Sequence, residues 1–501
     1  MTTGIHRIAA LISALPVAAA SGQAFGPREV SEQSKQCIAC HKQHSPALYQ
    51  QWGASKHFRA NVACFECHSA NAGDPDAYEH NGQTIAVLVT PKDCARCHSK
   101  EVEEFTASRH SKAGRILGSL DNTLAEVVEG NHGFKTTGMP GGVSASVVSG
   151  CWQCHGAEVK LLPGGKIDPT TWPNSGIGRI NPDGSEGSCN ACHTSHAFSA
   201  AQARYPDTCG KCHLGPDHPQ KEIYESSKHG ASFFANIDRM NLENPKWVVG
   251  EDYFSAPTCA TCHMSATRKQ SVTHDVGLRI SWNNRPEVSI RPEAADAKLG
   301  LPGAQIPWQT RRKNMTEVCI NCHDTQWVGN FYTQYDAFIE LYNTKFGGPG
   351  KDLYALAQPL MNPVQFSNEL DFTWYELWHH EGRRARHGTS MMAPDYSHWH
   401  GMYEVAKRFY TEMVPSLQHL IEQNVGSGDP ARAAAAEALR SRLDEVLNSD
   451  DHKWFLGKTD PAEAEKRQAA LEEFRARYEA SPAAPVSKDR PEPGANPGAK
   501  E

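Results

Sequence analysis

The longest apolar run of the chain lies at its start. Residues 8–20 read IAALISALPVAAA, follow His6 and Arg7, and lead into small residues up to Ala24. A short basic start, an apolar run of this length and small residues after it are typical of a secretory signal peptide. The run is too short to cross a bilayer, because a spanning helix needs about 20 apolar residues. We therefore expect a cleavable signal peptide over residues 1–24 and a periplasmic protein, with an uncleaved N-terminal anchor as the alternative.

Between residues 25 and 330 the pattern predicts short helices and loops. Glycine- and proline-rich stretches such as residues 162–185 are long connectors. Alternating apolar residues are scarce, and only a short hairpin near residues 272–290 is predicted as sheet. Segments this short cannot each bury an apolar core, so this body needs another source of buried apolar surface.

The pattern becomes helical after Cys322. Aromatic-rich stretches predict a helical module over residues 331–425, with helices at 333–347, 368–387 and 402–424. Pro415 is expected to kink the last of these helices. The chain as a whole is therefore predicted to be mainly α, with little sheet.

Residues 426–480 carry two charged, amphipathic patterns that predict helices. Each helix begins at a proline that follows an aspartate able to cap it, Asp429 before 430–448 and Asp460 before 461–479. Residues 481–501 are rich in proline, alanine and glycine and are predicted to be a disordered tail.

All sixteen cysteines lie in one pattern, C-x-x-C-H, which occurs eight times. The two thiols of such a pattern lie one helical turn apart and attach to the two vinyl groups of one haem, while the histidine reaches the iron. The attachment cysteines are Cys37, Cys40, Cys64, Cys67, Cys94, Cys97, Cys151, Cys154, Cys189, Cys192, Cys209, Cys212, Cys259, Cys262, Cys319 and Cys322. The proximal histidines are His41, His68, His98, His155, His193, His213, His263 and His323.

Other uses of cysteine explain this pattern less well. A disulfide framework does not require a histidine after every second cysteine, and structural zinc leaves that histidine unexplained. Eight covalent haem c groups are therefore expected, and their porphyrins supply the missing apolar surface. The net charge of −7 becomes more negative with the haem propionates, which excludes nucleic acid as a partner.

Seventeen histidines remain outside the motifs, and some of them are candidates for the second axial position of each iron. Three occur in a shared context, aromatic-x-x-Ser-Lys/Arg-His: His57 in WGASKH, His110 in FTASRH and His229 in YESSKH. We interpret each as a helical turn that presents its histidine to another haem. The alternative is a solvated surface histidine beside a basic residue.

Further candidates lack a repeated context. His196 in CHTSHAF is three residues from a proximal histidine, cannot easily face the same haem, and is expected to serve a neighbouring one. The other candidates are His132 in GNHGF, His274 in SVTHDVG, and His380 or its neighbour His379 in ELWHHEG. His419 and His452 lie in helical or polar tail sequence and are expected to be spectators.

The combination of motifs resembles a known family. Eight CxxCH motifs together with WPNSGIGRINPDGS, CHTSHAF, CGKCHLGPDHP, THDVGLRISW and DYSHWHG are similar to the octahaem hydroxylamine oxidoreductases. The resemblance covers about residues 35–415 and leaves out the signal peptide and residues 425–501.

The resemblance implies a mainly helical homotrimer with seven bis-histidine haems and one five-coordinate catalytic haem. The catalytic haem would be held by Cys151 and Cys154 with His155 proximal. Tyr396 in DYSHWHG would be crosslinked to the macrocycle of a neighbouring subunit, with packing against a porphyrin edge as the alternative. Asp217 and His218 would form the acid–base pair of the distal pocket, although GPDHP is also explained as a tight turn.

The implied reaction is oxidation of hydroxylamine to nitric oxide or nitrite, with a cytochrome c as electron acceptor. Three alternatives remain: a nitrite or hydroxylamine reductase that forms ammonium, oxidation of hydrazine, and a non-catalytic electron carrier. The pentahaem nitrite reductases attach their catalytic haem through CxxCK, which does not occur in this chain.

Overall fold

The computed structural model describes residues 29–116, 127 and 150–480. The predictions for the signal peptide, for His132 and for the tail at 481–501 lie outside these residues. Helices dominate the described chain, and the predicted mainly-α class is confirmed. The chain divides into two units. The first takes its described residues from Met1–His213, His229–Ser281 and Arg291–Asp324, and the second from Leu214–Lys228, Trp282–Ile290 and Thr325–Glu501.

The first unit is built of short helices. Its α-helices span Glu32–His44, Pro46–Ala54, Lys56–Arg59, Cys64–His68, Pro91–Cys94, Ser99–Thr106, Ala113–Ile116, Cys151–His155, Ala200–Arg204, Pro206–Gly210, Lys228–Ala235, Cys259–His263, Pro292–Lys298 and Trp308–Cys319. Single 3-10 turns lie at His110–Lys112, Cys189–Ala191, Ile237–Arg239, Val276–Arg279 and Pro302–Gln305.

Two small antiparallel hairpins also belong to the first unit. Ala77–His80 pairs with Gln83–Ala86, so that His80 lies opposite Gln83. Asn81 and Gly82 form the turn with φ values of 48° and 77°, a left-handed conformation that favours this Asn-Gly pair. The second hairpin joins Leu161–Leu162 to Lys166–Ile167 within the predicted connector.

The hairpin predicted near residues 272–290 is wrong. Val276–Arg279 instead forms a 3-10 turn, in which the Asp275 carboxylate accepts a hydrogen bond of 2.9 Å from the Gly277 amide. Arg279 is buried, and its guanidinium donates to the carbonyls of Thr261, Cys262 and Ser265. Side-chain hydrogen bonds therefore replace the strand pairing that the alternation predicts.

The second unit contains the longer helices. Its α-helices span Gln220–Ser226, Thr325–Tyr342, Gly348–Ala357, Glu369–Glu376, Gly382–Ser390, Glu404–Arg408, Val414–Asn424, Pro430–Asn448 and Pro461–Ala480. Four π-helical turns interrupt them, at Asn343–Gly347, Leu377–Glu381, Asp395–Tyr403 and Phe409–Met413, and 3-10 turns lie at Gln358–Leu360 and Lys453–Leu456. Pro415 is the second residue of helix Val414–Asn424, which begins directly after the last π turn, and a proline there cannot donate a backbone hydrogen bond.

A large apolar cluster holds the second unit together. It includes Ile339, Leu353, Leu377, Phe409 and Leu417, all almost completely buried. Leu439 and Leu443 of helix Pro430–Asn448 belong to the same cluster, so this charged helix packs on the module that precedes it. Both predicted caps are present: Asp429 accepts from the Ala431 amide and Asp460 from the Ala462 amide, each at 2.9 Å.

None of the helices in the described ranges combines the length and the apolar character that a bilayer-crossing segment requires.

Candidate haem ligands and redox site

Each CxxCH motif forms a single helical turn that places its two thiols and its histidine together. Cys64–His68, Cys151–His155 and Cys259–His263 are helices of five residues. In other motifs the histidine amide donates to the carbonyl of the first cysteine, as in His213 to Cys209 at 2.9 Å. No disulfide joins the sixteen cysteines, all of which are described. This arrangement suits attachment of one porphyrin per motif.

Six proximal histidines of the first unit lie opposite a second histidine ring. Two imidazoles bound to opposite sides of one metal, with metal–nitrogen bonds of about 2 Å and about 1 Å more to each ring centre, have centres about 6 Å apart. The observed separations are 6.3 Å for His41–His80, 6.2 Å for His68–His196, 6.0 Å for His98–His57, 6.5 Å for His193–His274, 6.1 Å for His213–His110 and 6.2 Å for His323–His229. The residues present therefore fit six-coordinate haem iron.

The repeated aromatic-x-x-Ser-Lys/Arg-His pattern has a shared local geometry. Its serines, Ser55, Ser108 and Ser227, are all buried. The Ser55 hydroxyl accepts from the Phe58 amide, whereas Ser108 and Ser227 each donate at 2.7 Å to the carbonyl of the aromatic residue three positions earlier. The serine fixes the turn that presents the histidine.

The pairs also bring together residues that lack this pattern. His196 lies opposite His68 and not opposite the proximal histidine three residues before it. His274 lies opposite His193. His80, which sequence reasoning missed, lies opposite His41 at the end of the first hairpin. The signal that could have found it is the Asn-Gly turn that follows it.

Burial favours the neutral imidazole at His68, His110 and His193, as iron ligation requires. Burial and the neighbouring histidines lower the pKa of His68 to about 4 and that of His110 to about 3. Burial followed by His274 lowers the pKa of His193 to about 4.

The other histidines predicted to bind iron do not belong to these six pairs. His155 and His263 are not among the six pairs, although burial lowers the pKa of His263 to about 4. His380 lies on the π turn Leu377–Glu381 of the second unit beside His379, so its role as an iron ligand stays a prediction.

A polar cluster in the second unit surrounds Asp217. The Asp217 carboxylate contacts Nδ1 of His218 and lies 3.8 Å from Nδ1 of His379 and 3.9 Å from a terminal nitrogen of Arg383. Burial raises the pKa of Asp217, but His218, followed by His379 and Arg383, outweighs it and lowers the pKa to about 2. The carboxylate is therefore anionic over the physiological range.

His379 completes the cluster as a neutral imidazole. It is buried and stacks on Tyr375, with ring centres 4.3 Å apart. Burial, followed by the charge of Arg383, lowers the pKa of His379 to about 2, although Asp217 opposes the shift. Its Nδ1 makes no hydrogen bond to any described residue. Sequence reasoning treated His379 only as an alternative to His380 and missed Arg383.

Tyr396 lies on the π turn Asp395–Tyr403, and small residues hold its backbone. A Cβ at Gly388 would lie 2.6 Å from the carbonyl carbon of Tyr396, and a Cβ at Gly401 would lie 2.6 Å from Cα of Ala385. Burial, followed by Glu222, raises the pKa of Tyr396, so that the phenol is neutral. Trp399 and Tyr403 on the same turn are more than half exposed.

An ion-pair network joins the two π turns that carry the candidate residues. Arg384 lies 3.5 Å from Glu381 and 3.0 Å from Glu404. Glu404 also lies 3.3 Å from Nδ1 of His400. The segment with Tyr396 and the segment with His379 are thus fixed to each other through Arg384.

Comparison with known proteins agrees with these features. Residues 183–340 match the family described as seven times multi-haem cytochrome CxxCH. A solved structure described as a hypothetical multiheme protein is 27% identical, with a TM-score of 0.67 over 80% of this chain and 98% of the other. With the CxxCH turns and the histidine pairs, these matches define the class as a multihaem cytochrome with covalently attached haem c.

Two further matches come from Kuenenia stuttgartiensis. The chain is 25% identical over 347 residues to a probable nitrite reductase–hydroxylamine oxidoreductase fusion protein, a match that covers 61% of this chain and 35% of the relative. The chain thus matches about a third of the length of that relative. A reducing HAO-like protein complex has the same fold, with a TM-score of 0.53 and 18% identity over 83% of this chain and 87% of the other.

Proposed function

We propose that this protein is a periplasmic octahaem oxidoreductase that oxidises hydroxylamine to nitric oxide or nitrite. The observation that carries the proposal is that Tyr396 and the Asp217–His218 pair lie in the same unit. Close backbone packing at Gly388 holds the segment of Tyr396 there. Similarity to a fusion protein with a hydroxylamine oxidoreductase part supports the same reaction.

The proposed electron path uses the histidine pairs of the first unit. A bis-histidine haem has no open position and serves electron transfer, so the paired haems would pass electrons on to a cytochrome c. The proposed catalytic haem is the one on Cys151 and Cys154, with His155 proximal, and bound iron there would supply the electron-accepting centre for the substrate nitrogen.

The chain's own residues would handle the protons. Oxidation of hydroxylamine to nitric oxide releases three protons and three electrons, whereas oxidation to nitrite consumes one water and releases five protons and four electrons. Asp217 contacts Nδ1 of His218, and Nε2 of His218 would take a proton from the substrate. Because the pKa of Asp217 lies at about 2, the carboxylate stays charged and stabilises the imidazolium that forms.

Tyr396 is proposed to form the crosslink to a haem of a neighbouring subunit in a homotrimer. The exposed aromatic rings of Trp399 and Tyr403 on the same turn are typical of a surface covered by another chain. The glycine contacts hold the backbone of Tyr396 whether or not a neighbour is present.

Spectra and denaturing gels test the proposal. The reduced protein should show a red-shifted band from a modified haem, and denaturing gels should show crosslinked oligomers. Tyr396→Phe should abolish both while the haem content is unchanged. Tyr403→Phe, on the same turn, is the matched control and should retain both.

Two outcomes lead to the rival functions. Ordinary haem spectra with monomers on the gel reject the crosslinked oxidase. Carbon monoxide binding to one haem in the reduced protein would then indicate a nitrite or hydroxylamine reductase, and no binding would indicate an electron carrier. Oxidation of hydrazine in place of hydroxylamine would indicate the remaining alternative, a hydrazine-oxidising enzyme.

A further inference from the structure

The first unit contains a chain of charges, Arg109–Asp296–Arg311, of which Asp296 and Arg311 are buried and Arg109 is partly exposed. Asp296 and Arg311 are 3% and 1% exposed, and one Asp296 oxygen accepts from Arg311. The other oxygen lies 2.5 Å from Nε of Arg109. Two guanidinium groups therefore share the Asp296 carboxylate.

One end of this chain holds the segment of His110. Arg109 directly precedes His110, and its guanidinium donates to the Pro292 carbonyl at 2.8 Å as well as to Asp296. Arg109 is thereby bound to helix Pro292–Lys298 at two points, its first residue and Asp296. His110 lies opposite the proximal histidine His213.

The other end holds the segment of His274. Arg311 donates to the Gly277 carbonyl at 2.9 Å, within the turn Val276–Arg279 that directly follows His274 and Asp275. It also donates to the Ile306 and Gly303 carbonyls, at 3.1 and 2.5 Å. His274 lies opposite the proximal histidine His193. Arg311 therefore contacts both Asp296, which binds the residue before His110, and the turn that follows His274.

A planar guanidinium with several donors suits this task. Its fixed fork can satisfy a carboxylate and several carbonyls at once, whereas a lysine ammonium cannot reproduce that geometry. Removing one partner leaves the others buried and unpaired, so the segments they hold would move.

We propose that Arg311, Asp296 and Arg109 are positioning residues that hold His110 and His274 at their haem irons. The haems concerned are those attached at Cys209 and Cys212 and at Cys189 and Cys192. This role goes beyond the proposed reaction, because it rests only on covalent haem attachment and the two histidine pairs.

Spin state and reduction potential of the haems, measured on the full holoprotein, test the proposal. Arg109→Gln keeps the Arg311–Asp296 pair and should convert one low-spin haem per chain to high spin, which then binds carbon monoxide when reduced. Arg311→Met should convert two haems, and Arg311→Lys should give an intermediate loss. The haem content should equal that of the wild type throughout.

Arg442→Gln, which removes a surface ion pair with Asp352 in the second unit, is the control and should change neither property. If Arg311→Met does not fold, Arg109→Gln decides alone. Folded Arg109→Gln protein with wild-type spin states and potentials would overturn the proposal and leave the charges with a purely structural role. Loss of the modified-haem band alone would bear on the proposed reaction and not on this inference.

Discussion

Gly388 lies against the backbone of Tyr396, at a distance where a Cβ atom would be 2.6 Å from the tyrosine carbonyl carbon. Real Cβ atoms do not approach carbon this closely, so helix Gly382–Ser390 and the turn Asp395–Tyr403 can pack here only with glycine. Because Tyr396 itself is only partly buried, contacts of its backbone determine where the phenol lies.

Gly388→Ala should therefore displace Tyr396. We expect loss of the modified-haem band and of crosslinked oligomers on denaturing gels, with unchanged haem content, because the first unit is not altered. Gly329→Ala is the matched control, since Gly329 lies in a helix of the same unit with no atom near its Cβ position. A Gly388→Ala protein that keeps the full band would show that the turn does not position the tyrosine.

Asp217→Asn should lower turnover without changing haem content or spin state. The amide cannot stabilise an imidazolium at His218 and can hold the wrong tautomer, so the general-base contribution, about a hundredfold to ten-thousandfold, should be lost. The measurement is steady-state hydroxylamine oxidation with an artificial electron acceptor. Asp352→Asn, which removes an exposed carboxylate, is the control. Turnover within twofold of the wild type would exclude Asp217 from proton transfer.

His80→Ala should convert the haem on Cys37 and Cys40 from low to high spin. His80 lies opposite His41 at 6.3 Å, the separation that a shared iron requires. Electron paramagnetic resonance of the oxidised protein measures the change. His44→Ala is the control, because His44 is exposed near the same motif. An unchanged low-spin signal in His80→Ala would remove His80 from the set of iron ligands.

Local patterns predicted much of this molecule. The CxxCH spacing fixes each attachment turn within five residues, and a helix cap such as Asp429 needs only the next two residues. The histidines after Ser55, Ser108 and Ser227 were found because the turn that presents them is encoded beside them.

Long-range contacts account for what the sequence left undetermined. The Asn-Gly turn after His80 predicts a hairpin but not a ligand, and only the position of that hairpin in the fold brings His80 to His41. The alternation near 272–290 predicted strands, but Arg311 donates to the Gly277 carbonyl there, and Arg279 donates instead to the Ser265 carbonyl outside the segment. Likewise, nothing beside Asp217 indicates that Leu214–Lys228 is counted with the second unit, where His379 and Arg383 surround the carboxylate.

The surroundings of His452 also depend on contacts that are distant in sequence. His452 lies in polar sequence and was expected to be a spectator with respect to iron ligation, and it is 1% exposed in the second unit. The Tyr410 hydroxyl donates to its Nδ1 at 2.9 Å, and its Nε2 donates to the Lys345 carbonyl at 2.8 Å. Both ring nitrogens are thus hydrogen-bonded in the neutral imidazole. His452→Gln should lower the free energy of unfolding by about 1–3 kcal/mol, because it leaves a buried group unpaired.

The contribution of His452 to the free energy of unfolding should depend on pH. Burial lowers the pKa of His452, although the hydrogen bond to Lys345 opposes the shift. As the pH falls below about 6.5, the unfolded chain binds a proton at this histidine that the folded chain excludes, so the wild type loses stability in that window. His452→Gln should lose less on acidification, and denaturant unfolding at pH 8 and at pH 5.5 measures the difference. His419→Gln, an exposed histidine in the same unit, should retain the wild-type slope; an equal slope in His452→Gln would mean that the buried imidazole does not titrate on unfolding.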